Sequence, residues 1–193
     1  MIILKLDSDI NYIVSGLERS GTSMLMQILQ AGDISISYDD LRKKNNFNQK
    51  GYFELEGGKI INKLISGNFD FNKYKGSFIK ITAFGLKYLP LGKYKIIYSE
   101  RNMDEILTSM EKMASLKDDE RNITKKSFLK LNNKAKETLV MRPDIDVLFL
   151  NYNKIISNPK LEIEKIPKFL SISNIDINKM IQAIDKNMYH ERK

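Results

Sequence analysis

Short runs of consecutive apolar residues alternate along the chain with longer stretches in which apolar side chains recur every three or four positions. The first run, NYIVS at 11–15, is β-branched and stops at Gly16, so it predicts a buried strand. GTSMLMQILQA (21–31) has helical spacing and ends at Gly32, a C-terminal stop signal. The stretch 34–53 follows neither period and reads as a loop with at most one short element. Beyond it the pattern predicts a helix over 59–66 closing at Gly67 and strands at SFIKI (77–81) and YKIIY (94–98). A helix over 103–114 carries Met103, Ile106, Leu107, Met110 and Met113 on one face, and a longer amphipathic helix over 120–140 ends before Pro143. VLFLNY (147–152) predicts a further buried strand, and 161–170 and 177–188 are helical. Strands that are apolar throughout, alternating with helices, imply a central, mostly parallel sheet covered by helices on both faces, a three-layer α/β architecture. With no linker or repeat in 193 residues, a single domain over 1–193 is expected.

Composition narrows the function. At 42% hydrophobic residues the chain can build a core, which excludes the disordered and fibrous classes. No apolar run approaches the ~18–20 residues of a membrane span. The start, MIILKLDSD, lacks the basic leader and small-residue cleavage site of a signal peptide. Cysteine is absent, which removes disulfides and thiolate metal sites, and His190 is the sole histidine, which removes histidine-based zinc sites and an interior Ser-His-Asp triad. A soluble, cytoplasmic, metal-free protein is the expectation. The net charge of +8 favours anionic partners. The excess is nearly all lysine in a chain also rich in Ile and Asn, as AT-rich coding DNA would produce, so no nucleic-acid partner is expected. Arginine is scarce, and the positions of Arg19, Arg42, Arg101, Arg121, Arg142 and Arg192 are correspondingly informative.

The densest candidate chemistry lies between the first strand and the first helix. SGLERSGTS (15–23) sets Gly16 and Gly21 at G-x4-G spacing, in the strand–loop–helix context of a phosphate-binding loop. Glycines let the backbone turn so that successive N–H groups converge, and the helix N-terminus adds its positive dipole end. Thr22 and Ser23 add hydroxyls. In a nucleoside-triphosphate loop a lysine follows the second glycine, whereas here that position is Thr22 and the cation is Arg19. Such a loop is poorly built for a magnesium triphosphate and suits a shorter anion met by a forked guanidinium. The plainer alternative is a glycine turn that only reverses the chain.

VSGLERSGTSMLMQIL (14–29) resembles the 5′-phosphosulfate-binding loop of the sulfotransferases, whose bacterial and tyrosylprotein branches carry R-S-G-T-[ST] at this place. Three further stretches are similar to that family. IIYSERNMDEILTSM (96–110) resembles its strand–Arg–helix segment, in which Arg101 and, eight positions on, Ser109 would hold a 3′-phosphate. Arg101 also falls at the carboxyl end of a strand, where open α/β sheets bind ligands, although a helix-terminal ion pair with Asp104 or Glu105 is the simpler reading. NQKGYFELEGGK (48–59) is similar to N-P-x-G-Y-[FY]-E, with Gln49 in place of proline. FLNYNKIISNPKLEIEKIPKFL (149–170) resembles a strand followed by Y-x-x-[LI]-x-x-[DN]-P and a helix, which puts Tyr152 near the nucleotide. The resemblance implies a P-loop-type fold that uses 3′-phosphoadenosine 5′-phosphosulfate (PAPS) without metal and releases 3′-phosphoadenosine 5′-phosphate (PAP). Gly16, Arg19, Ser20, Gly21, Thr22 and Ser23 would hold its 5′ end. The chain departs from the better-known cytosolic members in being shorter, which implies a reduced acceptor-side lid. It also lacks their C-terminal R-K-G, for which only Arg192 and Lys193 could stand in.

In sulfuryl transfer an oxygen or nitrogen nucleophile attacks sulfur in line, so catalysis consists of positioning, charge neutralisation and removal of the acceptor proton. Arg19 is the cation expected near the leaving group. The resemblance makes Lys80, in SFIKI, a second, whose plainer reading is a surface lysine. Where cytosolic relatives have a histidine this chain has Thr82, and His190 lies far along the chain, so a carboxylate must serve as base. Counting without gaps, the tyrosylprotein branch's catalytic glutamate falls at Asp40, and its nearby arginine at Arg42; Glu54 is second choice, with Asp39 and Glu56 behind. Each is equally readable as a solvated loop charge. The acceptor, whether small molecule, glycan, lipid or peptide, and the oligomeric state are not encoded in a decodable pattern. Two other readings stay open: a nucleotide kinase or NTPase with a degenerate loop, against which Asp146 precedes its strand instead of following it, and a non-catalytic nucleotide- or nucleic-acid-binding module.

Overall fold

The structure is a computed structural model that describes residues 4–39, 41 and 51–185. Its centre is a four-stranded sheet made of β1 (Asn11–Gly16), β2 (Phe78–Lys80), β3 (Tyr94–Glu100) and β4 (Ile145–Asn151), in the order β2-β1-β3-β4 with every pair parallel. Helix α1 (Thr22–Ala31) follows β1, and α2 (Ile60–Ile65) precedes β2. Helices α3 (Met103–Ala114) and α4 (Arg121–Met141) connect β3 to β4, and α5 (Tyr152–Ser157), α6 (Pro159–Ile163), α7 (Lys165–Leu170) and α8 (Ile177–Gln182) follow.

The pleat sorts the apolar strand residues into two cores. Tyr12, Val14, Phe78 and Ile97 pack with Leu25, Met26, Ile28 and Leu29 of α1, and with Ile155, Ile163, Ile166, Leu170 and Met180 from the C-terminal helices. Ile13, Ile79, Ile96 and Tyr98 face the other way, against α2, α3, α4 and the 3-10 segment Ala83–Tyr88. Each central strand is therefore covered on both sides, which is why its sequence is apolar without alternation. The three-layer α/β architecture expected from the pattern is the one observed.

Differences from the sequence reading have local causes. The fourth strand starts at Ile145 and stops at Asn151, and Tyr152 opens α5, because Asn151 Oδ1 accepts the Lys154 N–H at 3.0 Å and caps the helix. This strand is at the sheet edge, so Val147, Leu148 and Phe149 are only partly covered; the prediction of a fully buried strand is corrected. The helix predicted over 161–170 is two helices. Pro159 opens α6, and Pro167, which has no N–H to offer the Ile163 carbonyl, sits in the first turn of α7. Among the described residues of the segment 34–53, the short element is a pair of isolated bridges, Leu4 with Ile34 and Ile36 with Phe78, the second of which lays residues 35–37 along the outer edge of β2. Among the described residues no helix is long and apolar enough to cross a membrane.

From β1 the chain moves outward to β2 and then crosses to β3 on the other side of β1. The carboxyl ends of β1 and β3 therefore flank a topological switch point, where the connecting segments part and leave a crevice.

Candidate functional site

At that crevice, residues 16–21 turn from β1 into α1. Gly16 has φ +150, and a Cβ there would lie 2.4 Å from Ser20 Oγ and 2.7 Å from the Ser99 carbonyl oxygen. Gly21 has φ +103, and a Cβ there would lie 2.3 Å from Cδ2 of Tyr152. Only glycine fits at either place. Between them Arg19 is itself left-handed, at φ 65. Ser99, at the end of β3, donates its hydroxyl to the Ser20 carbonyl at 2.7 Å and ties the loop to the sheet. The Ser20 hydroxyl is buried and, among the described residues, has no hydrogen-bond partner. The first turn of α1 carries neither a side-chain cap nor an acidic residue. The positive end of α1 and a buried hydroxyl that has no partner among the described residues thus stand beside each other in one loop, an arrangement that favours an anion.

Arg101, just past β3, lies against this loop. Its side chain is largely covered, donates Nη1 to the Arg19 carbonyl at 3.0 Å and Nε to Glu105 Oε2 at 2.9 Å, and stacks 4.4 Å from the centre of the Tyr152 ring. The ion pair with Glu105 considered from the sequence is therefore present, while Asp104 pairs with Lys125. The Arg19 side chain runs toward α3, where Nε donates to Ser109 Oγ at 3.0 Å and Nη1 lies 3.7 Å from Met113 Sδ. Gly16, Arg19, Ser20, Gly21, Arg101, Ser109 and Tyr152, chosen from separate motifs, are thus brought together.

A second cluster forms at the other side of β1. Lys80, the last residue of β2, is 5% exposed, and its Nζ donates to the Tyr52 carbonyl and lies 3.0 Å from Glu54 Oε1. It also reaches Ser23 Oγ at 3.4 Å, so this cluster touches the first turn of α1. Thr22 beside it is buried. Phe53 has φ 51, a strained value for a bulky residue, next to the glutamate that meets Lys80. Asp39 is spent on the backbone: its Oδ1 accepts the N–H groups of Leu41 at 3.1 Å and Gly57 at 3.3 Å. Glu56 pairs with Lys63 at 2.8 Å. Thr82 is half-buried and precedes the turn Ala83–Tyr88. Asp40, Arg42, His190, Arg192 and Lys193 lie outside the described residues.

Two residues of this site have no role that the sequence patterns imply: Glu105, beyond its possible ion pair, and Asn153. The Asn153 side chain donates to Glu105 Oε1 at 2.7 Å. The i,i+4 spacing from Arg101 was a usable signal for Glu105, whereas nothing local marks Asn153, 48 positions away from its partner.

Solved structures with a similar fold include the sulfotransferase domain from the Synechococcus PCC 7002 olefin synthase, at TM-score 0.57 and 13% identity over 99% of this chain and 84% of that one. The sulfotransferase domain from the curacin biosynthetic pathway superposes at TM-score 0.52 and 14% identity, covering 95% of this chain and 79% of that chain. Mouse sulfotransferase SULT7A1, complexed with PAP, gives TM-score 0.51 and 18% identity over 96% of this chain and 65% of its own. Among curated proteins no sequence matches significantly. The sulfotransferase domain matches residues 9–193, from just before β1 through both clusters, and on that match the chain belongs to the sulfotransferase family.

Proposed function

We propose that this chain, acting as one sulfotransferase-like domain over 1–193, moves the sulfuryl group of PAPS to a hydroxyl or amine acceptor and releases PAP. The observation that carries the reading is the joint presence, at the ends of adjacent parallel strands, of a glycine-shaped anion cradle and a buried lysine beside the same helix N-terminus. The residues fit the donor: the Ser20 hydroxyl is buried and has no partner among the described residues, and the space at Gly16 and Gly21 admits no Cβ. On this reading the backbone of 16–23, with Ser20, Thr22 and Ser23, holds the 5′-phosphosulfate, and Arg101 and Ser109 hold the 3′-phosphate with Tyr152 beside them. Bound there, PAPS would supply an activated sulfuryl group on a good leaving phosphate.

Arg19, fixed between Arg101 and Ser109, adds positive charge between the two ends of the donor. Lys80 neutralises charge near Ser23, in a buried setting where a cation acts more strongly than in water. A carboxylate of the segment that leads into β2 takes the acceptor proton: Glu54 is the one that touches Lys80, and Asp40 is the one that the resemblance selects. Calorimetry with PAP, ADP and ATP tests the assignment. PAP is expected to bind most tightly and without magnesium. Magnesium-dependent ATP binding in preference to PAP would replace it with a kinase or NTPase.

A further inference from the structure

The hydrogen bonds around Arg101 continue past the groups that face the cradle. Asn153 Nδ2 donates to Glu105 Oε1 at 2.7 Å, Glu105 Oε2 accepts Arg101 Nε at 2.9 Å, and Arg101 Nη1 donates to the Arg19 carbonyl at 3.0 Å. This relay joins α5, the first turn of α3, the end of β3 and the apex of the phosphate loop. The Arg101 and Glu105 side chains are 7% and 20% exposed, so their bonds form away from bulk water, where geometry is enforced more strongly. The Tyr152 ring fixes the plane of the guanidinium, and Glu105 fixes its rotation within that plane. Glu105 is in turn gripped through both carboxylate oxygens. A negative charge beside a phosphate-binding arginine weakens phosphate binding by repulsion. Its presence is understandable where the orientation of the arginine contributes more than the charge subtracts.

We propose that Glu105 and Asn153 are positioning residues for the donor nucleotide. They hold Arg101 so that one guanidinium both braces the phosphate loop through the Arg19 carbonyl and meets the 3′-phosphate. Loop geometry at the 5′ end and recognition at the 3′ end then depend on the same three side chains. The inference rests on the proposed reading of Arg101 as the 3′-phosphate ligand.

The test is calorimetric titration of the full chain with PAP and with adenosine 5′-monophosphate, which lacks the 3′-phosphate, alongside thermal unfolding of each variant. Wild-type protein that binds the two equally removes the 3′-phosphate assignment itself. If wild type prefers PAP, the relay is judged separately. Glu105→Ala and Asn153→Ala each lower the PAP-over-monophosphate ratio by about tenfold, or ~1.4 kcal/mol. Glu105→Gln keeps an acceptor for Arg101 Nε, and the Asn153 amide can turn to match it, so this variant holds the ratio within about threefold of wild type. Asn153→Ala, which leaves the Arg101–Glu105 ion pair in place, carries the test if Glu105→Ala does not fold. An unchanged ratio in the alanine variants, whether or not they lose thermal stability, overturns the proposal. Tighter PAP binding in both Glu105 variants also overturns it, because the carboxylate would then act only by repulsion.

Discussion

Gly21→Ala should destabilise the fold and the cradle together, by an amount that can be worked from two contacts. Gly21 has φ +103, so an L side chain there pays a backbone cost of about 1–2 kcal/mol before any contact is considered. The new Cβ would lie 2.3 Å from Cδ2 and 2.8 Å from Cε2 of Tyr152. Ordinary contact needs more than a further ångström. The ring cannot simply retreat, because the Arg101 guanidinium is stacked on it at 4.4 Å and is itself bonded to Glu105 and to the Arg19 carbonyl. Displacing the ring off its rotamer adds about 1–2 kcal/mol, so the total loss is about 2–4 kcal/mol. Denaturant unfolding measures it, and PAP calorimetry on the folded fraction should show binding lost. A double-mutant cycle separates the two causes. With Tyr152→Ala in the background, the ring is gone and Gly21→Ala should cost only the backbone part, giving a coupling of about 1–2 kcal/mol. An additive cycle would show that the ring is not what excludes a side chain at position 21, and the account of the cradle would have to be redrawn.

Arg101→Ala should weaken PAP by about 2 kcal/mol or more through loss of a charge-assisted contact, while adenosine 5′-phosphosulfate, which lacks the 3′ group, loses much less; equal losses contradict the assignment. Glu54→Gln should lower kcat by about 10²–10³-fold with PAP affinity near wild type if this carboxylate is the base, and the same measurement on Asp40→Asn decides between the two. Asp144 accepts from both Arg142 Nε and the Gly92 N–H at 3.0 Å, and the Arg142 fork holds its carboxyl well below the usual carboxylate range. A lowered folded-state value stabilises above the unfolded value of about 4 and is lost as pH falls through and below it, so Asp144→Asn should cost about 1–2 kcal/mol at pH 7 and progressively less in acid; a difference that does not shrink at pH 3 removes the pair from the stability argument.

The parts that the sequence made legible are those in which one residue's surroundings are set by its immediate neighbours. Ile13, Ile96 and Ile97 advertise strands because a parallel sheet covered on both faces leaves no polar side to interrupt the run. The turn between β1 and α1 is legible as a candidate site because two glycines, a scarce arginine and three hydroxyl residues fall between a strand and a helix. What stayed hidden depends on contacts across the fold. That Gly21 must be glycine is partly the work of Tyr152, which arrives from the far end of the chain. Asn153 declares itself only once α5 is packed beside α3. The incomplete burial of β4 follows from its place at the sheet edge, and strand order is not written in the strand itself. Arg19 is left-handed although its neighbours are Glu18 and Ser20, and its side chain is directed by partners on α3, Ser109 and Met113, some 90 positions on.

The course of the Arg19 side chain decides how the two clusters would divide the work. Read from the loop alone, Arg19 is the natural cation for a departing 5′-phosphate. Its Nε instead meets Ser109 on α3, and its carbonyl is held by Arg101, so both its side chain and its backbone are committed to the β3 side of the crevice. Lys80 stands at the end of β2, on the opposite side of β1, and reaches Ser23 in the first turn of α1. A ligand lying across the helix N-terminus would meet one cation group from each side. The arginines would grip the nucleotide, and the lysine would stand toward the group that is transferred. Removing the charge at each of the two sites should therefore separate in kinetics. Lys80→Met is expected to depress kcat with PAP affinity nearly unchanged, and Arg19→Met to raise the dissociation constant for PAP. Steady-state rates with a working acceptor, set beside PAP calorimetry, distinguish the roles. If Lys80→Met weakens PAP as much as Arg19→Met does, the lysine belongs to the nucleotide grip and the transferred group has no buried cation of its own.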